Sequence, residues 1–192
     1  MSKIKFGTDG WRGIIAKDFT VANVARVAKA TADWVLRQNP NASIVVGYDC
    51  RFGGTLFSTT AINVFVQQGV KVYFDPNFVS TPMISLAAKT LGCELGVIFT
   101  ASHNPPSYNG YKLKAKHGGP LIVKYIEEIE NEIPDAFVVE ETGVEELVKQ
   151  GKVEVVDLED MYFNHVAEHF DLGAIHNSGF VVAYDAMYGA GQ

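Results

Sequence analysis

The sequence predicts an α/β protein: a three-layer α/β/α domain on a mixed, mainly parallel sheet, followed by part of a second α/β domain. Three observations carry this. Short apolar, β-branched runs at residues 44–46, 70–74 and 95–99 alternate with segments of helical period, an order that implies parallel strands joined by right-handed crossovers. The runs are bounded by Gly, Pro, Asn or Asp, which punctuate strands and helices. At 192 residues the chain suits one full domain and part of another, and about 70% of its unfolded surface can be buried without staples.

Each element has its own signal. In residues 21–38, Val24, Val27, Thr31, Trp34 and Val35 recur at nearly helical spacing, Thr20 can cap the start, and Asn39-Pro40 stops the run. Ile44, Val45 and Val46 read as a strand. A helix over about 55–68 puts Phe57, Ala61 and Val64 on one face and exits at Gly69. Residues 70–74 alternate as a strand, 82–91 form a short helix closed by Gly92, and Leu95-Gly96-Val97-Ile98-Phe99 reads as a buried strand. Asn109-Gly110 signals a turn before Tyr111-Lys112-Leu113-Lys114, a strand expected to return antiparallel. Residues 122–133 read as a covering helix. Residues 134–157, rich in Glu and Val, read as a boundary. The first domain is therefore placed at 1–150, with a linker helix and the start of a second domain at 151–192. There a helix over 159–170 leads to a buried strand at 180–184 and a turn at Gly189-Ala190-Gly191, with the rest of that domain expected beyond Gln192.

Composition narrows the setting. Cys50 and Cys93 have no metal or redox spacing and read as small apolar groups in a reducing compartment. No signal segment and no membrane-length apolar run is present, so the expectation is cytoplasmic, without a membrane partner. The net charge of −6 is uneven: residues 1–126 hold 14 Lys or Arg against 6 Asp or Glu, whereas residues 127–160 hold 13 acids and 2 bases. The basic balance of residues 1–126 favours a small anion. That stretch lacks the arginine-rich stripe or aromatic-basic motif of a nucleic-acid binder.

The chemistry centres on Thr100-Ala101-Ser102-His103-Asn104-Pro105-Pro106. Ser102 follows a strand, where open α/β sheets place their ligands, and the two prolines forbid a helix directly after it. A hydrolase is disfavoured, because the Gly-x-Ser-x-Gly elbow is absent. In extended backbone, moreover, His103 points away from Ser102. Arg12, between Gly10 and Gly13, suits bidentate phosphate contacts. His165-Val166-Ala167-Glu168-His169 matches a short zinc-protease signature, but a catalytic zinc needs a third protein ligand and only 23 residues remain.

Four separated segments resemble the α-D-phosphohexomutase family, the phosphoglucomutases and phosphomannomutases. They are Phe6-Gly7-Thr8-Asp9-Gly10-Trp11-Arg12-Gly13, Gly47-Tyr48-Asp49-Cys50-Arg51, the weaker Ser80-Thr81-Pro82, and the run from Thr100 to Lys112. The Pro-Ser-Tyr-Asn portion of the last is closer to the hexose-phosphate branch than to the phosphoglucosamine branch. The resemblance spans the chain but only the front of the family's fold. It implies interconversion of hexose 1-phosphate and 6-phosphate (glucose or mannose) through a phosphoserine and a hexose bisphosphate. Ser102 is then the phosphoryl carrier. Arg12 and Lys112 stabilise charge and bind phosphate, and His103 and Asn104 orient the serine loop or contact phosphate. Asp49 and Arg51 are expected to give local support by hydrogen bonding. The resemblance also implies Mg²⁺, held by Ser102 through its phosphate. The family's Asp-Gly-Asp-x-Asp-Arg loop is absent from the 192 residues, so the other ligands are expected beyond Gln192 and the chain alone is expected to be inactive. The implied partners are sugar phosphates and the missing domains of the same polypeptide. A phosphoglucosamine mutase, or a non-catalytic anion-binding module of the same fold, are the alternatives.

Overall fold

The computed structural model describes residues 4–7 and 10–192; Thr8 and Asp9 of the amino-terminal motif lie outside them. The described elements run β1 (Trp11–Ile14), α1 (Val21–Gln38), β2 (Ser43–Tyr48), α2 (Gly54–Gln67), β3 (Lys71–Phe78), α3 (Thr81–Thr90), β4 (Leu95–Phe99) and β5 (Tyr108–Ala115). They continue with α4 (Val123–Asn131), α5 (Val144–Lys149), β6 (Val153–Val155), α6 (Leu158–His169) and α7 (Leu172–His176). Six strands form one mixed sheet in the order β1-β5-β4-β2-β3-β6. The pairs β4–β2, β2–β3 and β3–β6 are parallel, and β5 is antiparallel to both of its neighbours.

Three layers follow from the alternation of side chains along the strands. Ile44 and Val46 of β2 join Val97 and Phe99 of β4 in the larger core, with residues of α1 and α2. Val45 and Ile98 face the other way, onto Ile84, Ala87 and Ala88 of α3 and Leu158 of α6. Burial on both faces is why these strands read as unbroken apolar runs. Thr20 caps α1 as predicted, accepting the Asn23 N–H at 3.2 Å. The α3 helix lies close over the sheet because Gly96 has no side chain. A Cβ there would sit 2.7 Å from Ile84 Cγ2.

The structure departs from the sequence reading in four places. Trp11–Ile14, which the sequence reading gave no element, is a strand; buried Trp11, stacked on Phe19 at 4.5 Å, fastens it. Asn109-Gly110 lies inside β5 and pairs with Gly13 and Arg12, so the two strands override the local turn signal. The supposed boundary carries α5 and β6, and β6 extends the first sheet past residue 150 by pairing with Val72, Tyr73 and Phe74. Asp75 ties the next helix to that edge: its buried carboxylate accepts the Leu158 N–H at 2.8 Å. Finally, 180–184 forms no strand and is not buried; Val181 is fully exposed. A β-run becomes a strand only when another strand's backbone lies beside it, and none of the described strands pairs with it.

Candidate active site

The strand order creates the site. From β2 the chain passes through α2 to β3 on one side; from β3 it crosses back over β2 to β4 and continues outward to β5. Connections thus leave β2 and β4 in opposite directions, and a crevice opens between their carboxyl ends, the topological switch point of an open α/β sheet. The loop after β2 brings Asp49, Cys50 and Arg51, and the loop after β4 brings Thr100 to Asn104. From these loops Asp49, Cys50, Arg51, Thr100, Ser102 and Asn104, together with Ser80 and Thr81 at the start of α3 and residues 187–190 near the end of the chain, line a cleft of about 660 Å³. The amino-terminal end of α3 there favours an anion.

Ser102 is exposed and adopts φ +54°, a left-handed conformation that non-glycine residues rarely hold. Its N–H donates to Thr100 Oγ1 at 3.1 Å, and Asn104 N–H donates to the Ala101 carbonyl at 3.0 Å, closing a turn beneath it. This backbone overturns one expectation: because the residue is not extended, His103 does not point away. Its Nδ1 lies 3.4 Å from Ser102 Oγ, long for a hydrogen bond but within reach of a group attached to that oxygen.

Arg12 arrives from β1. Strand alternation buries Trp11 and turns Arg12 to the opposite, exposed side, where its Nη1 donates to Asn104 Oδ1 at 2.9 Å. Lys112 arrives from β5, opposite Ile98. Arg12, Thr100, Ser102 and Lys112 line one crevice, so residues 90 apart in sequence share it. Gly110 makes this approach possible. A Cβ on it would sit 3.0 Å from the Trp11 carbonyl oxygen and 3.1 Å from Arg12 Cγ. Lys114 shares the Lys112 face but is buried, and Lys116 is exposed with its ammonium 3.9 Å from Glu94.

Arg51 exceeds the local support expected of it. Its guanidinium donates to the carbonyls of Ser102, Asn104, Pro105 and Tyr108. Nothing local in the sequence signals these contacts, since the partners lie more than 50 residues away. Metal ligation is another matter: no cluster of three His, Cys, Asp or Glu side chains able to hold an ion occurs among the described residues. They therefore do not by themselves form a cage for Mg²⁺. The His165 and His169 rings lie 4.2 Å apart, tilted by 41°, on the exposed side of α6, and no third ligand joins them among those residues.

The pattern of the family described as phosphoglucomutase/phosphomannomutase, alpha/beta/alpha domain I, matches residues 3–137. A phosphoglucosamine/phosphogalactosamine mutase of Sulfurisphaera tokodaii is 35% identical over 97% of this chain and 40% of its own length. A Schizosaccharomyces pombe protein provisionally named a phosphoribomutase is 40% identical over 62% of this chain and 22% of its own. Among solved structures, a Thermus thermophilus protein provisionally named a phosphomannomutase superposes with TM-score 0.83 at 35% identity, covering 94% of this chain and 38% of that one. With that match and these relatives, the chain belongs to the phosphoglucomutase/phosphomannomutase family, and its matched part is that family's first α/β/α domain. It spans two fifths or less of the length of these relatives, whose names divide between amino-sugar, pentose and hexose phosphates.

Proposed function

We propose that the protein is a sugar-phosphate mutase in which Ser102 carries the transferred phosphoryl group. The supporting observation is the convergence of Arg12 and Lys112, from two different strands, on the crevice beside Ser102. Phosphoryl transfer needs positioning and charge neutralisation more than covalent help from the protein, and two cationic residues lining the crevice of an exposed serine can supply both. In the forward half-reaction the Ser102 Oγ–P bond breaks as a sugar hydroxyl oxygen bonds to phosphorus, leaving a sugar bisphosphate and a free serine hydroxyl. In the reverse half-reaction Oγ attacks the other phosphate of the bisphosphate, and the second monophosphate departs. Arg12 and Lys112 offset the charge spread over the phosphoryl oxygens, and Asn104 steadies Arg12. His103 Nδ1 sits where it can hold or pass the proton of Oγ.

Hexose 1- and 6-phosphates are the proposed substrates, glucose or mannose ahead of glucosamine, on the Pro-Ser-Tyr-Asn portion of the loop. The amino-sugar relative favours the second reading, a phosphoglucosamine mutase. Mg²⁺ is proposed as cofactor with ligands supplied from outside the described residues, and the setting as cytoplasmic. No described helix is long and apolar enough to cross a membrane. The test is Ser102→Ala in the intact protein. Incubation with glucose 1,6-bisphosphate should phosphorylate the wild-type peptide spanning residue 102 and leave the variant unlabelled, with mutase activity lost. Undiminished activity in the variant would refute the assignment, and parallel assays with glucose, mannose and glucosamine phosphates decide the substrate.

A further inference from the structure

The serine loop supports itself only in part. Pro105 and Pro106 contribute no N–H; the Asn104 and Tyr108 N–H groups serve the Ala101 and Pro105 carbonyls, and further donors must come from elsewhere. One side chain provides most of them. Arg51 Nη2 donates to the Ser102 carbonyl at 2.7 Å and the Asn104 carbonyl at 2.6 Å. Its Nη1 donates to the carbonyls of Pro105 at 3.0 Å and Tyr108 at 3.1 Å. A guanidinium has five N–H donors in a rigid planar fork. Four are thereby committed to the loop, and the remaining nitrogen, Nε, lies 3.7 Å from Asp49 Oδ2. Asp49 Oδ1 accepts the Arg51 backbone N–H at 3.0 Å, so the carboxylate aims the arginine before the arginine grips the loop. The Arg51 side chain is only 14% exposed, and its bonds to the Asn104 and Tyr108 carbonyls are partly buried. The gripped backbone includes Ser102 itself, whose left-handed φ persists only where the surroundings over-determine it.

We propose that Arg51 is the positioning residue of the phosphoryl-transfer site: it gathers four carbonyls of residues 102–108 around one guanidinium and so fixes Ser102 Oγ against Arg12 and Lys112. The proposal rests on the mutase reading of Ser102 and extends it, since it gives control of the chemical step to a side chain committed to the backbone and not to substrate. Lysine would keep the charge but offers three donors from a single point, too few and too compact for four carbonyls.

The experiment compares wild type, Arg51→Lys and Arg51→Ala in the intact protein, with glucose 1-phosphate as substrate. Arg51→Lys is expected to lose about 100-fold in kcat, as misplacement of a reacting group does, while KM stays within about twofold because the Arg51 guanidinium is committed to loop carbonyls and not to substrate. Added guanidinium chloride at millimolar concentration should restore part of the Arg51→Ala rate, and thermolysin should cut within residues 101–108 faster in both variants. A kcat for Arg51→Lys within about twofold of wild type overturns the proposal. So does a rate loss that follows the melting temperature and ignores guanidinium. If the wild-type protein itself shows neither turnover nor phosphate on Ser102, the mutase reading fails separately. Proteolysis then judges Arg51, and unchanged loop protection in the variants refutes its grip.

Discussion

Tyr111 shows how a single residue can join the core to the site. It is fully buried on β5, next to Lys112, and its hydroxyl donates to Thr31 Oγ1 on α1 at 3.1 Å. Thr31 in turn donates to the Val27 carbonyl at 2.9 Å. Burial raises the phenol well above its ordinary value, and the Thr31 bond only partly opposes this. The neutral form is therefore favoured more in the folded than in the unfolded state. Its contribution to stability is complete below the unfolded pKa of about 10 and falls as pH rises beyond it. Tyr111→Phe should lower the unfolding free energy at pH 7 by about 1 kcal/mol. It should also flatten the decline above pH 10, both read from urea denaturation across pH. Burial likewise pushes the Cys93 thiol up to about 11, as befits a cysteine that packs as a small apolar group. The expectation for His103 fails at this scale, because its neighbour's left-handed φ is invisible in a motif whose prolines speak only for the residues before them.

At the scale of elements, α3 is the piece whose placement shapes the cleft. Its first residues line the cleft wall, and its body is held by Ile84, fully buried in the smaller core with Val45, Ile98 and Leu158. Ile84→Ala should lower stability by about 2–5 kcal/mol through lost burial and the cavity left behind, measured by chemical denaturation. Loss of less than about 0.5 kcal/mol, as surface changes give, would show that α3 is not held this way. The longer helices, α1 to α4 and α6, were legible because each carries its own period and stop signals, and α1 begins and ends where Thr20 and Asn39 place it; α5 and α7, of six and five residues, were not. Nor were β1 and β6. Four and three residues are too few for a period, and such strands exist because Tyr111 and Val72 have partners beside them.

At the scale of the molecule, one end of the sheet carries the cleft while the carboxyl-terminal segment displays Phe163, Phe170, Ile175, Phe180 and Val181 to solvent. The described residues leave that surface uncovered and contain no ready metal ligand set. We expect the purified 192-residue chain to show no turnover of glucose 1-phosphate in a coupled assay; robust turnover would overturn that expectation. Read alone, the sequence determined the layered α/β class, the succession of helices and buried strands, and the serine at a strand end, because period, caps and prolines act over a few residues. Only the tertiary structure decided that Arg12, Lys112 and Ser102 share one crevice, that Arg51 grips the serine loop, and that residues 153–155 extend the first sheet. Those facts depend on backbones tens of residues apart meeting at hydrogen-bonding distance, and no local pattern of side chains encodes which strand will lie beside which.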